Sequence, residues 1–345
     1  MRVSLFQVEV GDRLLADVFN SYGLQLIAAG TQLQKSDIAK LASHNVDYVD
    51  ILPRSDNNAP VQAGYYEQER MDSFHGAVDG IKKLFESVRA EGKLNENEVN
   101  RSFEPLIDNF QQEKDVVSML LVLNSKDDYT YQHSVQVGML SYYIAKWSGA
   151  NEDEALRAGK AGYLHDIGKS HIDNAILQKP SRLTDEEYEE IKKHTIYGHD
   201  ILRRSFHDDE LALVALQHHE RLDGRGYPHG ISAERMHPTS KIVAVADVYS
   251  AMICTRVYQQ KRDLLVVLRE LHRMSFGELD PHHVHAFISH MIPNFIGKAV
   301  TLKDGRSGTI VMTNPQDYFR PLVRINGVFY DLSKERHLEI ETISM

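Results

Sequence analysis

Apolar residues recur at helical spacing through most of the chain, and shorter apolar runs lie towards both ends. Residues 2–10 are rich in apolar side chains up to Gly11, and residues 46–52 form a similar run. Between them, Ile38 and Leu41 are spaced as on one face of a helix. The stretch 53–60 contains turn formers and almost no apolar residues, which is typical of a linker. The pattern therefore predicts a small strand-and-helix module over residues 1–55.

Two amphipathic helices are predicted within the linker region, residues 56–126. Apolar side chains three and four residues apart form one stripe on the first helix, namely Met71, Phe74, Val78, Ile81, Phe85 and Val88. The second helix has a similar stripe, Val99, Phe103, Leu106 and Phe110. The first stripe also fits heptads, so the 71–88 helix is either a core element or the seam of a homodimer. Its two or three heptads are few for a coiled coil, which favours core packing.

Helical periodicity continues through residues 127–295 and then gives way to short β-type runs over residues 296–345. Those runs are 300–302, 308–312, 322–325 and 328–332. Asp304-Gly305 and Asn326-Gly327 separate them, and both dipeptides favour tight hairpins. The predicted fold class is mainly α, a helical bundle with a small α/β N-terminal module and a small β C-terminal module.

Composition excludes several functional classes. The 39 basic and 49 acidic residues give a net charge of −10, so no chain-wide basic surface is available for a DNA or RNA polymer. Every apolar run is far shorter than the roughly 18 residues of a membrane-spanning helix, and we expect no membrane insertion. The single cysteine, Cys254, permits neither an internal disulfide nor a cysteine-based zinc site. These features predict a cytoplasmic protein.

Histidine is concentrated in one segment, since 14 of the 18 histidines lie between His165 and His290. Five histidines fall on inward faces of predicted helices, and Asp166 and Asp247 lie in apolar surroundings. A lone interior histidine is usually a hydrogen-bonded core residue, and a buried aspartate is usually paired with a basic residue. So many together indicate a two-metal site with Asp166 between the ions. Imidazoles and carboxylates without thiolates suit first-row divalent metals.

Paired metals activate water and neutralise the charge at a phosphoryl centre, so phosphoester hydrolysis is the chemistry that this set favours. The loop Asp223-Gly-Arg-Gly-Tyr-Pro-His-Gly230 follows the His218-His219 pair. Alone it would be interpreted as a surface turn. Beside metal ligands, it can bring backbone N–H groups and Tyr227 to a bound phosphate or base.

Three motifs together resemble the HD-GYP subgroup of the HD metal-dependent phosphohydrolases. They are His165-Asp166, the His218-His219-Glu220 run and Asp223-Gly-x-Gly-Tyr-Pro228. The resemblance covers about residues 127–291 and implies a helical HD-type catalytic domain over 127–295. It further implies hydrolysis of the bacterial second messenger cyclic di-GMP to the linear dinucleotide pGpG, with continuation to GMP left open.

Carried over by position, the resemblance assigns roles to particular residues. The implied metal ligands are His133, His165, Asp166, His194, His218, His219 and Asp247, with Asp166 bridging. Two divalent ions are implied, iron or manganese first and zinc, cobalt or nickel as alternatives. Asp166 and Lys169 are the implied catalytic residues, Lys169 lying near the scissile phosphate. The implied substrate contacts are Lys169, Asp223, Gly224, Gly226, Tyr227, Pro228 and Arg256.

Two departures from the family pattern matter. Tyr129 stands where some members have a glutamate that holds a third metal, so we expect two metals. The family's Asp-Arg-Pro-Tyr followed by a basic residue is here Thr255-Arg-Val-Tyr-Gln259, which removes one phosphate-contacting cation. We expect this loss to affect substrate affinity or the second cleavage step, whereas the first cut should survive.

Two rival interpretations remain: a cyclic di-GMP sensor or adaptor without turnover, and an HD hydrolase of another cyclic dinucleotide. The N-terminal module is similar to a small domain found ahead of some HD-GYP domains. We expect it to regulate the catalytic domain or to bind protein partners.

Overall fold

The computed structural model describes residues 2–5, 8–19, 25–44, 46, 48–52, 61–110, 129–179, 181–207, 209–254 and 264–344. The chain divides into two compact units, one made of residues 1–65 with 289–345 and the other of residues 66–288. Within the described ranges, no helix combines the length and apolar character needed to cross a bilayer. The predicted linker over 53–60 lies outside these ranges.

The N-terminal part contains the strands and the helix that its pattern predicted. Strand β1 (Arg2–Ser4) pairs antiparallel with β4 (Tyr48–Asp50), and β2 (Val18–Phe19) pairs antiparallel with β3 (Gln25–Ile27). Helix α1 (Lys35–Ser43) lies between β3 and β4 in the sequence. Their buried apolar side chains form one cluster, Val3, Leu14, Val18, Leu26, Ile27, Leu33, Leu41, Val49 and Ile51.

The C-terminal part is a five-stranded antiparallel sheet with the order β8-β7-β6-β5-β9. Its strands are β5 (Ala299–Leu302), β6 (Ser307–Met312), β7 (Leu322–Ile325), β8 (Val328–Asp331) and β9 (Ile340–Ser344). The predicted Asn326-Gly327 hairpin is confirmed, and both residues have positive φ, 49° and 81°. Strand β9 was not predicted, because a register shift where it pairs with Thr301 and Leu302 breaks its apolar alternation.

Eleven further α-helices are described after β4. They are α2 (Val61–Glu91), α3 (Glu96–Phe110), α4 (Tyr129–Trp147), α5 (Glu152–Leu164), α6 (Asn174–Leu177), α7 (Asp185–Lys192), α8 (His194–Ser205), α9 (Asp209–Gln217), α10 (Pro238–Cys254), α11 (Leu264–Met274) and α12 (Pro281–Met291). The mainly α fold class predicted from periodicity is thereby confirmed.

Side-chain caps fix the start of two helices that lead to the candidate site. Asn151 accepts a hydrogen bond from the Glu154 N–H, and the Glu154 carboxylate accepts one from the Asn151 N–H. Thr184 and Glu187 form the same reciprocal pair at the start of α7. Each capping box satisfies two N–H groups that the first helical turn leaves unpaired.

Two predicted helices are interrupted. The apolar spacing after the Thr184 cap predicts one helix that reaches Ile201, but the structure divides it at Lys193, whose N–H bonds to the carbonyl of Glu190, three residues back, and so tightens the turn. The sequence after the Asn151 cap likewise predicts a helix that reaches Lys169, but this helix ends at Leu164, and a 3-10 turn, Ile167–His171, follows. Both interruptions occur beside candidate metal ligands.

The apolar stripe of the 71–88 helix is packed inside the unit. Phe74, Val78, Ile81, Phe85 and Val88 are each at most 6% exposed. These side chains are already removed from water by the chain itself, which supports the core interpretation of the stripe over a dimer seam.

Candidate metal centre

Helices α4 and α10 bring His133 and Asp247 together. Nε2 of His133 lies 3.1 Å from Oδ1 of Asp247, and both side chains are buried. On the other side of the imidazole ring, Nδ1 lies 2.9 Å from the Ser250 hydroxyl. That hydroxyl donates its proton to the Gln136 side-chain oxygen at 3.0 Å, so it accepts from His133 Nδ1.

His165 and Asp166 follow directly on α5. Nδ1 of His165 lies 2.6 Å from the Gly162 carbonyl oxygen, while its Nε2 lies 3.3 Å from Oδ2 of Asp166 and 3.9 Å from Oδ1 of Asp247. Both His165 and Asp166 are 1% exposed. The end of a helix and the 3-10 turn after it thus place two buried polar groups side by side.

The remaining histidines come from α8 and from the turn after α9. Nδ1 of His194 lies 2.6 Å from the Ile191 carbonyl oxygen, and Nδ1 of His218 lies 2.9 Å from that of Ala215. Their Nε2 atoms lie 3.3 and 3.9 Å from Oδ1 of Asp166. His219 contacts the other aspartate, with its Nδ1 3.6 Å from Oδ2 of Asp247.

These contacts fix the proton positions on the buried imidazole rings. A carbonyl oxygen only accepts, so Nδ1 of His165, His194 and His218 each carries the proton, and each Nε2 presents a lone pair. The lone pairs of His194 and His218 face each other at 3.3 Å. Two acceptors so close are repulsive unless a cation lies between or beside them. This arrangement fits a metal site.

Unpaired buried atoms support the same conclusion. In the described ranges, Nε2 of His165 and Oδ1 of Asp166 are buried without a hydrogen-bond partner. Orphaned buried acceptors are costly and uncommon, and metal coordination satisfies them. Both atoms point into the space shared by the seven candidate ligands.

The candidate ligands form two groups in which one atom from each residue lies within 4.8 Å of the others. One group is Asp166, His194, His218 and His219, and the second is His133, His165 and Asp247. Asp166 faces both groups, because its Oδ1 is near His194 and His218 while its Oδ2 is near His165 and, at 3.9 Å, His133. The sequence-predicted ligands are therefore brought together around one central carboxylate.

The electrostatics of the site favour ionised aspartates, and they favour neutral imidazoles at His194 and His219. Burial lowers the pKa of His194 to about 4 and that of His219 to about 3. Burial alone would raise the pKa of Asp166, but the charges of His165 and Lys169 hold it well below its ordinary value. Burial also lowers the pKa of His165, yet the Asp166 carboxylate outweighs it and raises that pKa. The site as a whole therefore favours the binding of a cation beside Asp166.

Lys169 and Gly168 lie on the 3-10 turn that closes the site. The Lys169 ammonium lies 2.5 Å from Oδ2 of Asp166, and its side chain is 22% exposed. A Cβ on Gly168 would lie 1.9 Å from the His194 carbonyl oxygen and 2.4 Å from the Gly198 nitrogen. Only glycine allows this turn to approach α8 so closely.

The Gly-Tyr-Pro loop lies against the ligand histidines. The Tyr227 ring stacks on the His219 ring with their centres 4.6 Å apart, and the Tyr227 N–H bonds to the His219 carbonyl oxygen at 3.2 Å. Asp223 shapes the start of the loop by accepting from the Arg225 N–H. Gly224 has positive φ, 74°, which glycine adopts readily. Of the loop residues expected to contact substrate, Tyr227 thus borders the metal centre.

Three residues beside the loop have contacts that the sequence did not predict. The exposed Tyr188 ring contacts the edge of the Tyr227 ring, and Lys192 lies 5.5 and 5.7 Å from the centres of those two rings. Glu220 is buried under the loop and binds two of its N–H groups. Glu220 belongs to the His218-His219-Glu220 motif, but neither the motif nor the pattern around Tyr188 and Lys192 predicts these contacts, since they depend on how the loop folds back.

Some predicted features cannot be placed. Arg256 and Gln259 lie outside the described residues, as does the side chain of Tyr129. Their predicted roles, in phosphate contact and in the number of metals, remain predictions.

Known proteins resemble this chain over the region that contains the candidate metal centre. The HD domain family model matches residues 116–282. The cyclic di-GMP phosphodiesterase PA4108 of Pseudomonas aeruginosa is 33% identical over 207 residues, which is 60% of this chain and 50% of that protein. A cyclic di-GMP phosphodiesterase of Thermotoga maritima is 40% identical over 177 residues, 49% of this chain and 48% of that protein. The chain thus spans about half the length of these curated relatives.

A relative with a different named substrate and one solved structure extend the comparison. The 3'3'-cGAMP-specific phosphodiesterase 1 of Vibrio cholerae is 36% identical over 167 residues, 48% of this chain and 39% of that protein. The solved structure of Bd1817, an HDG"Y"P protein from Bdellovibrio bacteriovorus, aligns with a TM-score of 0.52 and 16% identity. The alignment covers 83% of this chain and 97% of Bd1817, and it shows a shared fold. All seven candidate metal ligands lie within the residues that match the HD domain family model.

Proposed function

We propose that this protein is a metal-dependent phosphodiesterase that hydrolyses cyclic di-GMP to pGpG. The observation that carries the proposal is the set of inward lone pairs and carboxylate oxygens around Asp166, with Nε2 of His165 and Oδ1 of Asp166 left unpaired. This set lies in an HD domain whose relatives include proteins named cyclic di-GMP phosphodiesterases. The geometry of the metal site supports a hydrolytic reaction. The names of the relatives support cyclic di-GMP as the substrate.

Each ligand group holds one divalent cation in this proposal. His133, His165 and Asp247 hold one ion, His194, His218 and His219 hold the second, and Asp166 bridges. Such a pair of ions supplies activation of water and neutralisation of charge on a phosphoryl centre. Iron or manganese is proposed first, since the donors are nitrogen and oxygen without thiolate, and zinc, cobalt and nickel are the alternatives. Two ions rather than three are proposed because Tyr129 replaces a glutamate.

The other site residues act on the substrate. Lys169 carries a positive charge at the edge of the centre, where it stabilises charge that develops on the phosphate. Tyr227 and the backbone of the Asp223–Pro228 loop contact a base or a phosphate, and Arg256 contacts a phosphate. Gln259 offers no cation, so we propose that pGpG is released and that further cleavage to GMP is slow.

Two other functions remain as alternatives. A cyclic di-GMP sensor without turnover would bind the nucleotide but would not need a full set of seven ligands. An HD hydrolase of another cyclic dinucleotide is favoured by one observation, the 36% identity to a 3'3'-cGAMP-specific phosphodiesterase. Competition between the two cyclic dinucleotides as substrates distinguishes this second alternative from the main proposal.

The test is metal analysis and turnover on one sample. The protein is purified without oxygen, its metals are measured by mass spectrometry, and it is incubated with cyclic di-GMP and, separately, with 3'3'-cGAMP. We expect two metal ions per chain and pGpG from cyclic di-GMP. Asp166→Asn should lose both the metals and the turnover, whereas the surface control Asp153→Asn should keep them.

Each other outcome has a defined meaning. Two metals with bound but uncleaved cyclic di-GMP, unchanged after manganese or iron is added, would establish the sensor. Faster cleavage of 3'3'-cGAMP would establish the other substrate. Full activity of Asp166→Asn would overturn the metal mechanism.

Several wider expectations accompany the proposal. We keep a cytoplasmic location and the four-part division at residues 55, 126 and 295 as predictions, together with a role for the N-terminal module in regulation or in binding protein partners. A homodimer through the 71–88 helix is less well supported, because the stripe is buried within the chain. A monomeric mass in solution would exclude it.

A further inference from the structure

Glu220 is a buried acid that belongs to neither metal-ligand group. It directly follows His218 and His219 and is 1% exposed. Its two carboxylate oxygens both accept hydrogen bonds from the loop, Oε1 from the His229 N–H at 2.8 Å and Oε2 from the Ile231 N–H at 3.1 Å. Both oxygens are therefore turned towards the loop.

The neighbouring arginine does not compete for this carboxylate. Arg221 instead donates to main-chain carbonyl oxygens, those of His218 at 3.2 Å and Glu220 at 2.8 Å. Glu220 forms no ion pair with a lysine or arginine in the described part of the chain. Its acceptor capacity is thus directed at backbone N–H groups, which a carboxylate binds more strongly than a neutral acceptor does.

The loop held by Glu220 packs directly on the ligand turn. A Cβ on Gly226 would lie 2.3 Å from the Cα of Glu220, 2.4 Å from the His219 carbonyl oxygen and 2.5 Å from the Arg221 nitrogen. No side chain fits between the loop and the turn at this point. The next residue, Tyr227, is bonded through its N–H to His219 and stacks on the His219 ring.

We propose that Glu220 is a positioning residue that holds Tyr227 over the metal centre by binding the far end of its loop. The hydrogen bonds to His229 and Ile231 close the segment that begins at the ligand turn, and Tyr227 lies between these two attachments. Glu220 does not touch the reacting atoms in this proposal, so it acts through Tyr227. The inference rests on the proposed function, because it needs Tyr227 to contact the substrate.

The first experiment measures steady-state kinetics of the manganese-loaded full chain with cyclic di-GMP. Glu220→Ala should raise KM about tenfold or more, leave kcat within about threefold and retain the wild-type manganese content, since binding to Tyr227 weakens while the ions stay in place. Glu220→Gln keeps one acceptor oxygen and should give an intermediate KM. The control Glu234→Gln changes an exposed acid bonded to Ser232 and should leave KM unchanged.

A double-mutant cycle tests whether Glu220 acts through Tyr227. Tyr227→Ala should raise KM by a similar factor, and adding Glu220→Gln to it should cause no further rise, because coupled residues are not additive. An additive rise would overturn the proposal, as would an unchanged KM in Glu220→Ala. Loss of manganese in Glu220→Gln would also overturn it, because Glu220 would then support the metals rather than the loop.

Hydrogen exchange separates failure of this inference from failure of the proposed function. In nucleotide-free Glu220→Ala, the amides of His229 and Ile231 should exchange faster, whereas those of α10 should not change. If the wild-type protein shows no turnover, the proposed function fails while this readout still tests Glu220. Unchanged exchange at both amides would overturn the inference whatever the activity.

Discussion

Lys169 and Asp166 form a short ion pair at the edge of the metal centre, with the ammonium 2.5 Å from Oδ2. The aspartate side chain is 1% exposed and the lysine side chain 22% exposed, so the pair connects a buried ligand to a partly exposed cation. The 3-10 turn after α5 creates this relationship, because it carries the lysine back over the carboxylate. The charge of Lys169 is thus held beside the atoms that bind the metals without being one of the ligands.

We predict that Lys169→Met lowers kcat for cyclic di-GMP about 10²–10³-fold, as removal of one preorganised charge-stabilising group does. The two metals should remain, since none of the candidate ligands is changed. Turnover and metal content measured on the same preparation check both statements. The matched control is Lys160→Met, which removes a partly buried lysine paired with Glu104 at 2.7 Å. An unchanged kcat in Lys169→Met would show that this lysine has no role in the reaction.

Metal removal should destabilise the protein. The buried carboxylates of Asp166 and Asp247 and the facing lone pairs of the histidines lose their cations when a chelator is added. Binding at a hundred times Kd contributes about 2.7 kcal/mol. In a domain of this size that corresponds to a fall in Tm of about 5–10 °C. Thermal unfolding with manganese and with chelator measures the difference, which should nearly disappear in Asp166→Asn. Equal melting temperatures in wild type would contradict the metal site.

The candidate ligands could be predicted from sequence because helical periodicity relates position to face. Asp247 lies in the middle of an apolar helix, and His194 lies on an apolar stripe, so each was expected to be buried. Burial of a polar side chain requires a partner, and the number of such residues indicated metals. The structure brings these side chains together, although the division of the helix at Lys193 was not foreseen.

Other features depend on contacts that no local pattern encodes. The carboxylate of Glu220 binds backbone groups nine and eleven residues later, which requires the loop to fold back on the ligand turn. Strand β9 pairs with β5 across about forty residues, and its register shift hides the alternation. Both are tertiary arrangements, so the sequence contained the residues without indicating where they would meet.

Gly168→Ala should disturb the metal centre from outside the ligand set. Its Cβ would overlap the His194 carbonyl oxygen, which moves α8 and with it the His194 imidazole. We expect the free energy of unfolding to fall by about 1–3 kcal/mol, as in other overpacked sites, and the metal content to drop. Chemical denaturation and metal analysis measure the two effects. Gly76→Ala is the control, because its Cβ would meet nothing within 4 Å and alanine favours a helix. Full metal content in Gly168→Ala would contradict the predicted shift of His194.

His283 should make the protein less stable in acid, independently of the metal ligands. Its Nδ1 lies 2.9 Å from the Ser148 hydroxyl, and burial lowers its pKa from 6.5 to about 4, with His282 and Lys241 adding to this shift and Asp280 opposing it. As pH falls below 6.5, the unfolded chain gains a proton on this residue that the folded chain does not bind, so stability decreases until about pH 4. Above pH 6.5 the residue is neutral in both states and has no effect.

The measurement is denaturant unfolding in chelator at pH 7 and pH 5. Between pH 7 and pH 5, the free energy of unfolding of His283→Gln should fall by about 2 kcal/mol less than that of the wild type. This is the difference at pH 5 that follows from lowering the pKa of His283 from 6.5 to about 4 on folding. His337→Gln alters an exposed histidine and should follow the wild type. Because the ligand histidines titrate equally in all three proteins, their contribution cancels in the comparison. The same loss in His283→Gln as in the wild type would show that His283 binds its proton equally well in the folded and unfolded chains.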